Sequence, residues 1–93
     1  MPIQVRIPTP LRKLTGNKDE IQASGGNIRE VFENLEKQYP GMKEKLYNPD
    51  GTLKRFVNIY VNNRDIRFME GEHTPVHDGD EVAIIPAIAG GKS

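Results

Sequence analysis

The chain contains no cysteine. That removes disulfide frameworks, cysteine-based zinc sites and a thiol nucleophile of its own. It leaves the compartment open, although nothing in the sequence calls for an oxidising one. Neither charge sign is in excess: Lys and Arg total 13, Asp and Glu total 13, and the formal net charge is zero. A dedicated nucleic-acid binder carries a basic surplus, and an acidic disordered chain the opposite one. No apolar run approaches the ~20 residues of a membrane span. The opening Met1-Pro2-Ile3-Gln4-Val5-Arg6 lacks the basic, apolar and small-residue regions of a signal peptide. A soluble cytoplasmic protein with no nucleic-acid or membrane partner is the expectation. At 93 residues, 35% hydrophobic and 6% aromatic, the chain is one small domain with little apolar material to spare. A chain of this size buries roughly 60–65% of its unfolded surface, which suffices for a modest core.

Ile3, Val5 and Ile7 alternate with Gln4 and Arg6, the pattern of a half-buried strand stopped by Pro8 and Pro10. Residues 9–18 read as a loop anchored by Leu11 and Leu14, with Thr15-Gly16-Asn17 as a turn. A short strand follows over Glu20 to Ala23, and Ser24-Gly25-Gly26-Asn27 breaks it. The one clear helix begins at Ile28: Ile28, Val31, Phe32 and Leu35 form a stripe at helical spacing that Tyr39 continues. Asn27 is its cap, Glu30 stands where a capping box needs it, and Pro40-Gly41 ends it. Met42 to Tyr47 reads as one further turn, closed by Asn48-Pro49-Asp50-Gly51. Phe56 to Val61 is the best strand of the chain, and Asn62-Asn63 turns it into a shorter one near Asp65 to Phe68. After the turn His77-Asp78-Gly79-Asp80 comes the last strand, Glu81 to Ile85. One helix covers one face of such a sheet. The expected fold is therefore α+β: a mixed sheet of four to five strands with one main helix on one face. The first and last strands lie side by side in its centre, the β-grasp or ubiquitin-like arrangement. The domain is expected over 1–89, with 90–93 a flexible tail.

The inventory for catalysis is thin. His73 and His77 are four apart but sit among turn residues and lack a third ligand, so a metal site is the weaker reading. Asp78-Gly79-Asp80 lacks the further acidic positions of a calcium loop and reads as a turn that aims the last strand. Ser24-Gly25-Gly26-Asn27 precedes a helix, as a phosphate cradle would, but the Walker pattern is missing and capping explains the residues. On the best strand Val57, Ile59 and Val61 point one way and Phe56, Asn58 and Tyr60 the other. The aliphatic set faces the helix. Phe56 and Tyr60, near Ile85, then lie on the bare face. Either loop 9–18 folds over them, or they form a docking patch for a partner.

The tail carries the most information. Pro86-Ala87-Ile88-Ala89-Gly90-Gly91 holds only small residues apart from Ile88, and no charge before Lys92. Without Cβ atoms, Gly90 and Gly91 can enter a narrow channel and present a carbonyl to attack. A Gly-Gly end alone is a weak signal; directly after the last strand of a β-grasp it is a much stronger one.

With that tail in place, the chain resembles the ThiS/MoaD-type sulfur carriers, and within them the branch serving bacterial cysteine biosynthesis. The likeness runs over essentially the whole chain. It is carried by Ile7-Pro8-Thr9, Arg55-Phe56-Val57-Asn58-Ile59-Tyr60-Val61-Asn62, Asp65-Ile66-Arg67-Phe68 and, most specifically, Asp78-Gly79-Asp80 followed by Ile85 to Gly91. The resemblance implies a protein that is a substrate and not an enzyme, with no catalytic residue, metal or cofactor of its own. An E1-like enzyme would adenylate the carboxylate of Gly91, and sulfur would replace AMP to give a thiocarboxylate. Ala89 and Gly90 would thread the enzyme's channel, and Phe56, Tyr60 and Ile85 would dock it. The acceptor implied is a pyridoxal-phosphate-dependent cysteine synthase; carriers for molybdopterin or thiamine, and ubiquitin-like modifiers, share the same tail. The family pattern ends at the second glycine, whereas this chain continues with Lys92-Ser93, which implies removal by a metalloprotease or an extension foreign to the natural chain.

Overall fold

The alternation at the N-terminus becomes β1, Ile3–Arg6, with Ile3 and Val5 in the core and Arg6 in water. The structure, a computed structural model, describes residues 2–86. Glu20–Ala23 forms β2, which runs antiparallel to β1 with Val5 opposite Ile21. Val57–Val61 is β3, Arg64–Asp65 is β4 and Glu81–Pro86 is β5. β5 lies parallel to β1 and antiparallel to β3, so the sheet order is β2-β1-β5-β3-β4. The first and last strands are thus central neighbours, and the β-grasp expectation holds. Asn62 and Asn63, at φ 50° and 73°, supply the two left-handed residues that a two-residue hairpin turn between β3 and β4 requires.

Two helices cover one face. In α1, Ile28–Gln38, the stripe Ile28, Val31, Phe32 and Leu35 is fully enclosed. Each such side chain contributes about 1.5–3 kcal/mol by leaving water. The Asn27 carboxamide accepts from Glu30 N at 2.9 Å, as the sequence predicts. Glu30 returns its carboxylate one residue further back, to Gly26 N at 2.7 Å. A Cβ on Gly25 would meet Val31 N at 2.7 Å, so only glycine lets the chain pass this close to the helix start. The predicted extra turn is α2, Met42–Leu46. Its first amides are capped from α1: Glu36 accepts from Gly41 N at 3.1 Å and Lys43 N at 2.8 Å. Those bonds hold the Glu36 carboxyl below its ordinary range. Tyr47, next after α2, meets Phe32 edge-on at 6.2 Å between ring centroids, a favourable aromatic geometry.

Three sequence expectations change in detail. Residues 9–18 are not an open loop; Thr9–Thr15 winds into a 3-10 helix that starts from two prolines and ends on left-handed Gly16 and Asn17. Phe56 lies outside the strand, in a turn where Val57 N donates to Lys54 O at 3.1 Å. The short strand expected over Asp65 to Phe68 is only Arg64–Asp65. Asp65 then accepts from Arg67 N at 2.8 Å and pairs with the Arg67 guanidinium at 2.7 Å, which bends Ile66–Phe68 into a 3-10 turn.

Candidate docking face and tail root

A sheet with both helices on one side leaves its other side bare, and the alternation of β5 divides the two. Val82 and Ile84 point into the core, while Ala83 and Ile85 point away from the helices. Arg6 and Tyr60 both pair with Ala83, so the three form a row across β1, β5 and β3 on the bare face. One pleat on, Ile85 sits opposite Asn58 and diagonal to Tyr60, and it is 46% exposed. The structure therefore brings Tyr60 and Ile85 together. Phe56 stands at the same end of β3, in its lead-in turn, 57% exposed.

The alternative in which loop 9–18 covers these residues is resolved by the same packing. Leu11 and Leu14 turn toward the core cluster, and a Cβ on Gly41, just before α2, would touch Leu14 at 3.6 Å. The 3-10 helix thus lies against α2, on the helix side. What it gives the bare face is a wall. A groove of about 550 Å³ runs between its start and the end of β5, lined among others by Arg6, Pro8, Arg12, Ala83, Ile85 and Pro86. Arg12 is fixed there by donating to Ile7 O at 3.0 Å. Arg6 reaches Glu81 at 3.5 Å with Arg6 mostly and Glu81 partly in water, a pair that contributes at most about 1 kcal/mol. Sequence reasoning named the apolar members of this face and missed Arg6, Arg12 and Glu81. The period of two along β1 and β5 carries that signal, since it places Arg6 and Glu81 outward.

The weaker chemical readings meet definite fates. The amides before α1 are occupied from within: Gly26 N by Glu30, Ile28 N by Thr74 O at 3.1 Å, and Glu30 N by Asn27. An anion would find that cradle filled. The Asp80 carboxylate accepts from His77 N at 2.8 Å and Asn62 Nδ2 at 3.1 Å. Those two bonds, the His77 amide foremost, hold it below the usual carboxylate range. It is a clip joining the β3–β4 hairpin to β5, as the turn reading expects. Among the described residues no group of His, Asp and Glu gathers as a metal site, and no helix is long and apolar enough to cross a membrane.

The groove ends at Pro86, the root of the tail. Ala89, Gly90, Gly91, the Lys92-Ser93 extension and the boundary expected between 89 and 90 lie outside the described residues.

Comparison with known proteins decides the family. The ThiS family matches residues 5–91. This chain belongs to the ThiS family. The sulfur carrier protein CysO of Mycobacterium tuberculosis is 48% identical over 93 residues, covering 98% of this chain and all of that protein. Its crystal structure superposes with a TM-score of 0.88 at 46% identity, over 92% of this chain and 99% of the other. A chain of the Amycolatopsis orientalis BexX/CysO complex gives 0.89 at 40% identity, over 95% of this chain and 98% of that one.

Proposed function

We propose that this chain is a sulfur carrier protein, similar in role to CysO, whose working group is the carboxylate of Gly91. An E1-like enzyme joins that carboxylate to AMP at the expense of ATP, with pyrophosphate leaving. Sulfide equivalents then displace AMP, and the acyl group becomes a thiocarboxylate. Its sulfur is nucleophilic at neutral pH and attacks an electrophile held by a synthase; in the cysteine route this is an aminoacrylate on pyridoxal phosphate. The chain supplies no acid or base to these steps. It supplies a tail without bulk and a face to grip, Tyr60 and Ile85 with Phe56 beside them.

The observation that carries this reading is the uncharged Pro86 to Gly91 run, which begins on the last residue of the central strand β5, in a chain matched by the ThiS family through residue 91. Lys92-Ser93 places the Gly91 carbonyl in a peptide bond, so the full chain is inert to activation until a protease, for which a metalloprotease is the proposed class, removes the dipeptide. The test incubates the chain ending at Gly91 with ATP, sulfide and the host's E1-like enzyme, then weighs it. A mass gain matching one oxygen replaced by sulfur is expected. Isopeptide-linked conjugates in the cell without that gain would instead mark a protein modifier.

A further inference from the structure

The charges of this chain sum to zero, yet they are not evenly mixed. Residues 70–81 hold Glu70, Glu72, Asp78, Asp80 and Glu81 and no lysine or arginine. Residues 51–57 hold Lys54 and Arg55 and no carboxylate. The fold places these two runs at opposite ends of β5. The acidic run leads into its first residue, where Gln4 N donates to Asp80 O at 3.0 Å. The basic pair leads into Val57, which lies opposite Pro86 at its last residue. Six residues of strand put about 17 Å between the two ends.

At the Pro86 end, cations line the surfaces that meet there. Pro86 shares its groove with Arg6 and Arg12, and Val57 lines a cleft of about 280 Å³ with Lys54, Arg55 and Arg67. Glu81 takes Arg6 at 3.5 Å and Asp65 takes Arg67 at 2.7 Å. Arg12, Lys54 and Arg55 have no ion-pair partner among the described residues. Asp19 and Glu20 approach from the edge strand β2, where Glu20 lies opposite Arg6, but Lys13 and Lys18 come with them. At the other end Arg29 answers Glu72 at 2.7 Å, and Arg64 stands on β4 level with Val82. The five carboxylates of residues 70–81 still outnumber those two.

Covalent reach connects this polarity to the tail. Gly91 stands five residues beyond Pro86, so it lies within about 18 Å of it whatever course the chain takes. A protein that reacts with the Gly91 carboxylate must therefore come to the cationic end of the domain. The Debye length is about 8 Å at physiological ionic strength, so charges beside Pro86 act on that visitor while those at the far end are largely screened. We infer that the Pro86 end is an electrostatic guide, which recruits a protein whose tail-receiving surface is rich in Asp and Glu. This inference rests on the carrier reading, which gives Gly91 a reason to be visited. The guide sets how often and in which orientation the two proteins meet, and it takes no part in the chemistry at Gly91.

The experiment measures kon and koff of the chain ending at Gly91 for the host's E1-like enzyme by stopped flow. Salt is raised from about 0.01 M to about 1 M, which shrinks the Debye length from about 30 Å to about 3 Å. Arg55→Gln at the Pro86 end and Arg64→Gln at the far end remove the same charge from exposed residues, and melting curves check that the fold is kept. The wild-type kon is expected to fall about tenfold or more over that range. Arg55→Gln should lower kon about threefold at low salt and match wild type at high salt, while Arg64→Gln and the charge-keeping Arg55→Lys stay within about 1.5-fold of wild type throughout. Equal slowing by Arg55→Gln and Arg64→Gln would make net charge responsible and not its placement, which overturns the guide. So would a wild-type kon that is flat or rises with salt, or a loss in Arg55→Gln confined to koff, which marks a simple contact. Sulfur gain by the wild-type chain is weighed separately. Sulfur gain without a salt-dependent encounter sinks the guide alone; no sulfur gain with any E1-like enzyme of the host sinks the carrier reading, and the guide with it.

Discussion

Ile84 and Ile85 are neighbours in β5 with the same side chain, yet one is 3% exposed and the other 46%. The pleat alone separates them. On the helix side, Ile84 shares a core with Val5, Ile59, Val82 and Phe32, and every methylene there is held by packing. On the bare side, Ile85 lines a groove flanked by Arg6 and Arg12, and nearly half of its surface is left open to water. The first face keeps the domain folded. The second is free to be bound, because folding has not consumed it.

The contrast is most sharply tested by truncating the two isoleucines separately. Ile84→Ala is expected to cost about 2–5 kcal/mol of stability, the range for buried large-to-small changes, measured by urea unfolding. Ile85→Ala should stay within about 0.5 kcal/mol of wild type in the same assay. Its effect belongs elsewhere: activation by the E1-like enzyme should fall by an amount equivalent to about 2 kcal/mol of binding, as for an interface anchor. Phe56→Ala and Tyr60→Ala are expected to follow Ile85 and not Ile84. Equal losses of stability from both isoleucines would dissolve the distinction between the faces.

A smaller effect tests whether the covered side tolerates change at its boundary. Removing the α1 cap by Asn27→Ala is expected to cost about 1 kcal/mol, by unfolding, with activation of the tail unchanged. Tyr47→Phe sharpens the picture in the opposite direction. The Tyr47 hydroxyl is buried and has no hydrogen-bond partner among the described residues, and burial pushes its pKa up to about 12. Because that value lies above the ordinary one near 10, the neutral form stabilises the fold below pH ~10, and the benefit is lost as pH climbs through the raised value. Deleting the unpaired hydroxyl is expected to leave stability at neutral pH equal or slightly higher, by up to about 1 kcal/mol, and to make unfolding less sensitive to pH above 10. Thermal melts at several alkaline pH values read both effects.

The smallest effect concerns the clip at the end of the sheet. Hydrogen bonds hold the Asp80 carboxyl below its usual range. A depressed carboxyl adds stability that is complete above the ordinary value near 4 and disappears as pH falls through the depressed one. Asp80→Asn should therefore lower the melting temperature by a few degrees at pH 7 and leave it nearly unchanged at pH 2. A loss of equal size at both pH values would mean that the side chain acts by shape and not by charge.

Much of this was legible in the sequence because each element announces itself locally. The stripe from Ile28 to Leu35 and the cap at Asn27 fix α1. The alternation in β1 and β3 assigns inner and outer faces before any neighbour is known. What escaped was decided at a distance of a few residues by side chains competing for the backbone. Asp65 to Phe68 has good strand formers, but the Asp65 carboxylate captures the Arg67 amide and guanidinium and bends the chain. Exposed Phe68 is a product of that bend, so no periodicity could reveal it. The 3-10 helix at Thr9–Thr15 was hidden by its prolines, which signal a break equally well. For the site, the apolar members could be named from alternation. The groove could not, since its wall comes from a segment that packs against α2, far along the chain.

The tail is rooted in the middle strand of the sheet, and that has a mechanical consequence. β5 is hydrogen-bonded to β1 on one side and β3 on the other. A pull applied at Pro86 along the strand loads both ladders in shear, where many bonds must slip together, and not in a peel that opens them one at a time. An edge strand such as β4, two residues long with one neighbour, would come away under the same load. Under the carrier reading proposed above, in which the tail enters partner enzymes, that load falls on a strand hydrogen-bonded on both sides.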